Sequence, residues 1–101
     1  MSVININRIN FQSEVMNAKE PVLLDFWAPW CGPCRMVGPV VDAISDERAD
    51  IKVGKINVDE ETELAGQFGI MSIPTLVVLK DGKIISKSVG AKSKNEILEM
   101  I

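Results

Sequence analysis

Val22-Leu23-Leu24-Asp25-Phe26-Trp27, followed after Ala28-Pro29-Trp30 by Cys31-Gly32-Pro33-Cys34, is the stretch on which the reading of this chain turns. Its first six residues run almost continuously apolar, as a central strand covered on both faces does. From Cys34 onward Val37, Val40, Val41 and Ile44 recur at helical spacing, with Arg35, Asp42 and Asp46 on the opposite face. A hydrophobic strand therefore runs into an amphipathic helix, and two cysteines sit at the junction. Pro39 lies inside that helix, where it removes a backbone donor and is expected to bend it.

Outward from this junction the pattern alternates strand and helix. Residues 3–6 form a short strand, and Asn10 is placed to cap a helix carrying Phe11, Val15 and Met16 before Pro21 restarts the chain in extended form. Residues 51–58 alternate as a strand. Asp59, with Glu60 and Glu61 behind it, supplies a cap and two acids to a short helix ending near Gly69. Two further strands, 75–80 and 83–89, flank Asp81-Gly82, a strong hairpin signal. Ser93-Lys94-Asn95-Glu96 has the form of a capping box, with Ile97, Leu98 and Ile101 following on one face. The order β-α-β-α-β-α-β-β-α demands a mixed sheet with helices on both faces.

Composition narrows the function classes. At 101 residues and 47% hydrophobic, the chain fits one compact domain over 1–101. The net charge of -3 and the lack of a basic stripe disfavour nucleic acid. The opening MSVININRIN has neither a basic start nor the apolar run of roughly 7–15 residues of a secretory signal. Asp25, Lys55 and Lys80 interrupt or bound the apolar runs well short of the roughly 20 residues that span a membrane. A cytoplasmic protein without membrane attachment is the expectation.

Two cysteines are too few to staple a secreted scaffold. Cys31 should lie at the helix N-terminus, where unpaired N–H groups and the positive end of the dipole stabilise a thiolate. Three residues on, Cys34 comes round to the same face within disulfide reach. Gly32 and Pro33 let the chain enter the helix without crowding. The rival reading, half of a zinc site, lacks ligands: the chain has no histidine and no further cysteine. Asp25, in the middle of an apolar strand, is costly unless paired or protonated, which suggests a task; the alternative is a turn residue. Lys55 shares a strand face with Ile51 and Val53 and could reach Asp25 from a neighbouring strand, or could pack its stem and send its head to water. Ile73-Pro74-Thr75 opens the next strand, with trans the base expectation for its proline.

FWAPWCGPC (26–34), KINVDE (55–60), FGIMSIPT (68–75), LKDG (79–82) and VGAKSK (89–94), in this order, resemble the thioredoxin family from end to end. The resemblance implies a central mixed five-stranded sheet flanked by four helices, a cis peptide before Pro74, and general reduction of protein disulfides that maintains cellular redox homeostasis. It implies Cys31 as the exposed attacking thiolate, Cys34 as the buried resolving thiol, Asp25 as proton acceptor and Lys55 as its partner. Trp30, Gly32, Pro33, Ile73, Pro74, Gly90 and Ala91 look like the docking surface for partner segments. No cofactor is expected on the chain; the resemblance implies electrons from NADPH through a separate flavin-containing thioredoxin reductase. Disulfide-containing proteins are the implied substrates of a monomer. Pro29, Arg35 and Met71-Ser72 depart from the residues usual in the family. The rival readings are a disulfide-forming or isomerising relative and a binding subunit that uses the same surface without exchange.

Overall fold

The computed structural model describes residues 3–101. Its centre is the strand anticipated above, β2 (Val22–Trp27). The other strands are β1 (Val3–Asn5), β3 (Lys52–Asn57), β4 (Thr75–Lys80) and β5 (Lys83–Val89), in spatial order β1-β3-β2-β4-β5. β1 and β2 pair with β3 in parallel, whereas β2–β4 and β4–β5 are antiparallel, so the sheet is mixed. β2 holds the middle position because each of its faces has a core to fill.

Side chains alternate across a strand, and β2 divides accordingly. Leu24 and Phe26 join Ile56, Val77 and Leu79 on one face, under Val15 and Leu64. Leu23 joins Val53, Leu76 and Val78 on the other, under Val37, Val41 and Ile44 of α1 (Gly32–Glu47) and Ile97 of α3 (Lys94–Glu99). Asp25 points to this second face by the same alternation. Gly54 of β3 has no substitute on the first face: a Cβ there would lie 2.7 Å from Ile6 Cγ1 and 3.1 Å from Leu24 Cδ2.

The helices agree with the expected order and differ in detail. The first is a single π-helical turn, Gln12–Met16, closed by the Asn17 N–H on the Gln12 carbonyl at 2.9 Å. Asn10 does not cap it: its carboxamide accepts from the Asn7 N–H and donates to the Asn5 carbonyl, closing the preceding loop instead. α1 continues through Pro39 to Glu47. α2 (Thr62–Gln67) begins later than the acidic run suggested, and Asp59 is not its cap; Glu61 occupies that position without a capping bond, its carboxylate accepting instead from the Arg8 N–H at 3.1 Å. At α3 the capping box forms as read, Ser93 Oγ accepting from the Glu96 N–H and the Glu96 carboxylate from the Ser93 N–H. Asp81 and Gly82 both take positive φ, 53° and 74°, the geometry a two-residue hairpin turn requires.

Candidate functional site

Where β2 ends, Ala28, Pro29 and Trp30 carry the chain over the top of the sheet into α1. Cys31 is the N-cap residue of that helix, and its Sγ accepts a hydrogen bond from the Cys34 N–H at 3.2 Å. The sulfur thus occupies the place that a serine or aspartate oxygen usually fills, at the positive end of a 16-residue helix. Cys31 and Cys34 are joined in a disulfide with their Cα atoms 5.3 Å apart. Pro33 sits in the first turn, where no backbone donor is needed.

One expectation is corrected here. Cys31 is not the exposed member of the pair: it is 4% exposed and Cys34 5%. Joined in the disulfide, both sulfurs pack against Ala28, with Trp27, Val58 and Ile73 around them. What distinguishes them is electrostatic, because Cys31 Sγ alone receives the helix N–H.

Above the disulfide lies an apolar rim. Trp30 is 68% exposed, and its indole Nε1 donates to Asp59 Oδ2 at 2.9 Å, which fixes the ring against the loop that follows β3. A hollow of about 410 Å³ runs from Trp30 to Met71 and Ile73. The Ile73–Pro74 peptide is cis, as the family resemblance implied and against the base expectation. The Gly90 N–H donates to the Pro74 carbonyl at 2.8 Å, bringing Gly90 and Ala91 beside the proline. Gly32 and Pro33 complete the rim from the first turn of α1, both exposed. Sequence reasoning missed Asp59 as the anchor of Trp30, having read it as a helix cap. Met71, named from the sequence only as a departure from the family, has its side chain 96% exposed at the edge of the hollow.

Beneath the disulfide the surroundings reverse. Asp25 and Cys34 line one cleft of about 290 Å³ together with Arg35, Gly38, Asp42 and Lys55. Asp25 is 1% exposed, and its Oδ1 has no hydrogen-bond partner. Burial raises its pKa from 3.8 to about 6; Lys55 draws it down and Asp42 pushes it up. Lys55 is the in-register neighbour of Asp25 on β3, as its strand position suggested. Its ammonium, however, pairs with Asp42 Oδ1 at 2.9 Å and acts on Asp25 only through its charge. Asp42, read from the helical spacing as a residue of the solvent face, was missed as part of the site. No sequence signal places it over the cleft, because that requires the pairing of β3 with β2.

The thioredoxin family model matches residues 2–101. The chain is 46% identical to a thioredoxin of Haemophilus influenzae over 98% of its own length and 94% of that protein. With a thioredoxin of Porphyra purpurea it shares 51% identity over 96% of this chain and 92% of the relative. A Bacillus subtilis thioredoxin is 46% identical over 100% of this chain and 96% of its own.

Proposed function

The chain belongs to the thioredoxin family and is a protein disulfide oxidoreductase with Cys31 and Cys34 as its redox pair, and on that premise we propose which residue performs each step. Cys31, as thiolate, attacks a substrate disulfide; a Cys31–substrate bond forms and the other substrate sulfur leaves as thiolate. Cys34 then gives its proton to Asp25 and attacks the Cys31 sulfur. The Cys31–Cys34 bond forms, the second substrate sulfur leaves, and two electrons have passed from the dithiol to the substrate.

The observation that carries this assignment is the placement of the two ends of the path. Cys31 Sγ sits on the helix N-terminus, and Cys34 shares a cleft with a buried carboxyl whose Oδ1 is open. A thiolate is stabilised at the first and a proton is accepted at the second. Lys55 supplies positive charge at the cleft and does not itself take the proton. Trp30, Gly32, Pro33, Ile73, Pro74, Gly90 and Ala91 form the surface against which a substrate segment lies. The chain works as a single domain and as a monomer, in the cytoplasm, with disulfide-containing proteins as substrates and no cofactor of its own. No helix among the described residues is long and apolar enough to cross a membrane. NADPH supplies the electrons through a flavin-containing thioredoxin reductase, which makes the chain an electron carrier.

The test is a coupled assay: oxidised protein, NADPH, a flavin-containing reductase and a disulfide-linked protein substrate. One NADPH is consumed for each disulfide reduced, and omission of the chain stops the reaction. Substrate reduction by the chain when pre-reduced with dithiothreitol, but not with NADPH and any reductase, would overturn the recycling route. A chain that instead oxidises dithiols preferentially would belong to the disulfide-forming reading.

A further inference from the structure

The cleft under the disulfide contains an ion pair that the proton path above does not use. Lys55 stands directly across from Asp25 in the β2–β3 register, and an ammonium so placed would ordinarily bond that buried carboxylate. It does not. Its Nζ is 2.9 Å from Asp42 Oδ1, on α1, and 3.7 Å from the point where a Cβ would stand on Gly38. Gly38, one helical turn before Asp42, lies beside the lysine without obstructing it, since a Cβ there would make only an ordinary contact with the ammonium. Asp25 Oδ1 stays unpartnered although a cation lines the same cleft.

We propose that Asp42 is a positioning residue whose carboxylate holds the Lys55 ammonium on α1, away from Asp25, so that Asp25 keeps an oxygen free to receive the proton of Cys34. The inference rests on the reading of Asp25 as proton acceptor. A carboxylate bonded by an ammonium is stabilised in its charged form and becomes a poorer base. The hold on Lys55 keeps Asp25 in the range where it both accepts and returns a proton near neutral pH.

The groups that face Asp25 from its neighbours are few. Lys55 comes from β3, and Cys34, Arg35 and Asp42 come from α1. Leu76, its partner on β4, carries no charge. The Arg35 guanidinium donates to the Pro29 carbonyl at 3.3 Å, at the cleft edge. Asp42 influences Asp25 along two routes, its own negative charge and its grip on Lys55, and the proposal concerns the second.

Two readouts on the full chain separate the routes. The first is the titration midpoint of the Asp25 carboxyl, followed by carbon NMR in the disulfide form. The second is the pH midpoint of Cys34 attack on a preformed Cys31 mixed disulfide. Asp42→Asn is expected to lower the Asp25 midpoint by about one pH unit, since an opposite charge released onto a carboxylate commonly moves it that far or further. In a Lys55→Met background the same substitution should move it by less than half as much. Asp42 is half exposed, so Asp42→Asn removes no core packing, and Lys55→Met keeps an unbranched stem in the place of the largely buried lysine. Equal shifts in the two backgrounds, or none in either, would overturn the proposal, leaving Asp42 with direct repulsion alone or a merely structural role. A shifted Asp25 midpoint with an unchanged pH midpoint for Cys34 attack would support the hold on Lys55 and instead contradict Asp25 as the acceptor. Parallel movement of both midpoints supports the two together.

Discussion

The two walls around the Cys31–Cys34 bond are built on opposite principles. The outer one, from Trp30 to Met71 and Ile73 with the buried cis Pro74 behind it, is apolar, open and held by few bonds, the most specific being Trp30 Nε1 to Asp59. The inner one carries charge, with the buried Asp25 and the Asp42–Lys55 ion pair around a cleft under α1. Apolar surface with exposed backbone suits segments of many sequences, because its contacts are non-directional. A proton acceptor needs the reverse, a buried low-dielectric site in which a carboxyl oxygen is left unpartnered. Partner capture and proton transfer thus depend on different side chains, and substitutions should separate them.

The largest separation is expected at Asp25. Asp25→Asn should slow Cys34 resolution on the order of 100-fold, the usual scale for loss of a general base, while leaving the first attack by Cys31 near its parent rate. Stopped-flow measurement of the two steps checks this; equal slowing of both would erase the distinction between the walls.

Asp25 also links the inner wall to stability. Its folded pKa of about 6 lies above the unfolded value of 3.8, so the folded protein holds the proton more tightly. The sign follows: this contribution is fully present below about pH 4 and is lost as pH rises through about 6, an effect on the order of 3 kcal/mol for the shift cited. Denaturant titrations of the oxidised protein should show that decline, and Asp25→Asn should flatten it and be the more stable of the two at pH 7. A parent whose stability rises between pH 4 and pH 6 by the Asp25 titration would contradict the burial argument.

On the outer wall the effect is smaller. Asp59→Ala removes the acceptor of the Trp30 indole, a hydrogen bond worth about 1 kcal/mol, and should raise the KM for a protein substrate roughly fivefold, with the rate of Cys34 resolution unchanged. Steady-state assays with a protein and with a small disulfide compare the two walls; loss of resolution rate in this variant would show them to be coupled. Smaller still, Ser93→Ala lies outside both walls. It should cost about 1 kcal/mol of stability through the lost α3 cap and alter neither step of exchange.

The parts of this architecture that were legible in the sequence are those encoded locally. The unbroken run Val22–Trp27, the helical spacing after Cys34, the Asp81-Gly82 turn and the Ser93 to Glu96 box each specify their element from a few adjacent residues. Asp25 stood out because a carboxylate in such a run conflicts with its surroundings. Asp59 and Asp42 did not, since an acid ahead of a helix or on a helix's polar face has an ordinary explanation. Their bonds, to Trp30 and to Lys55, join residues 29 and 13 positions apart and exist only once the sheet is assembled. Asn10 failed as a cap for a related reason: Asn7, three residues before it, offered its carboxamide a nearer partner. The burial of Cys31 within the disulfide was not legible either, because spacing predicts that two sulfurs meet and not what covers them once they have.

The central claim is the order of the two attacks, and trapping tests it most directly. Cys34→Ser keeps the nucleophile at the helix N-terminus and removes the resolving sulfur, so incubation with a disulfide-containing protein should accumulate a covalent complex linked through Cys31 and released by dithiothreitol. Cys31→Ser should accumulate none. Mass analysis of the linkage decides the matter: complexes that form only with Cys31→Ser would reverse the roles, and partners retained equally by both variants regardless of dithiothreitol would mean that the surface binds without exchange.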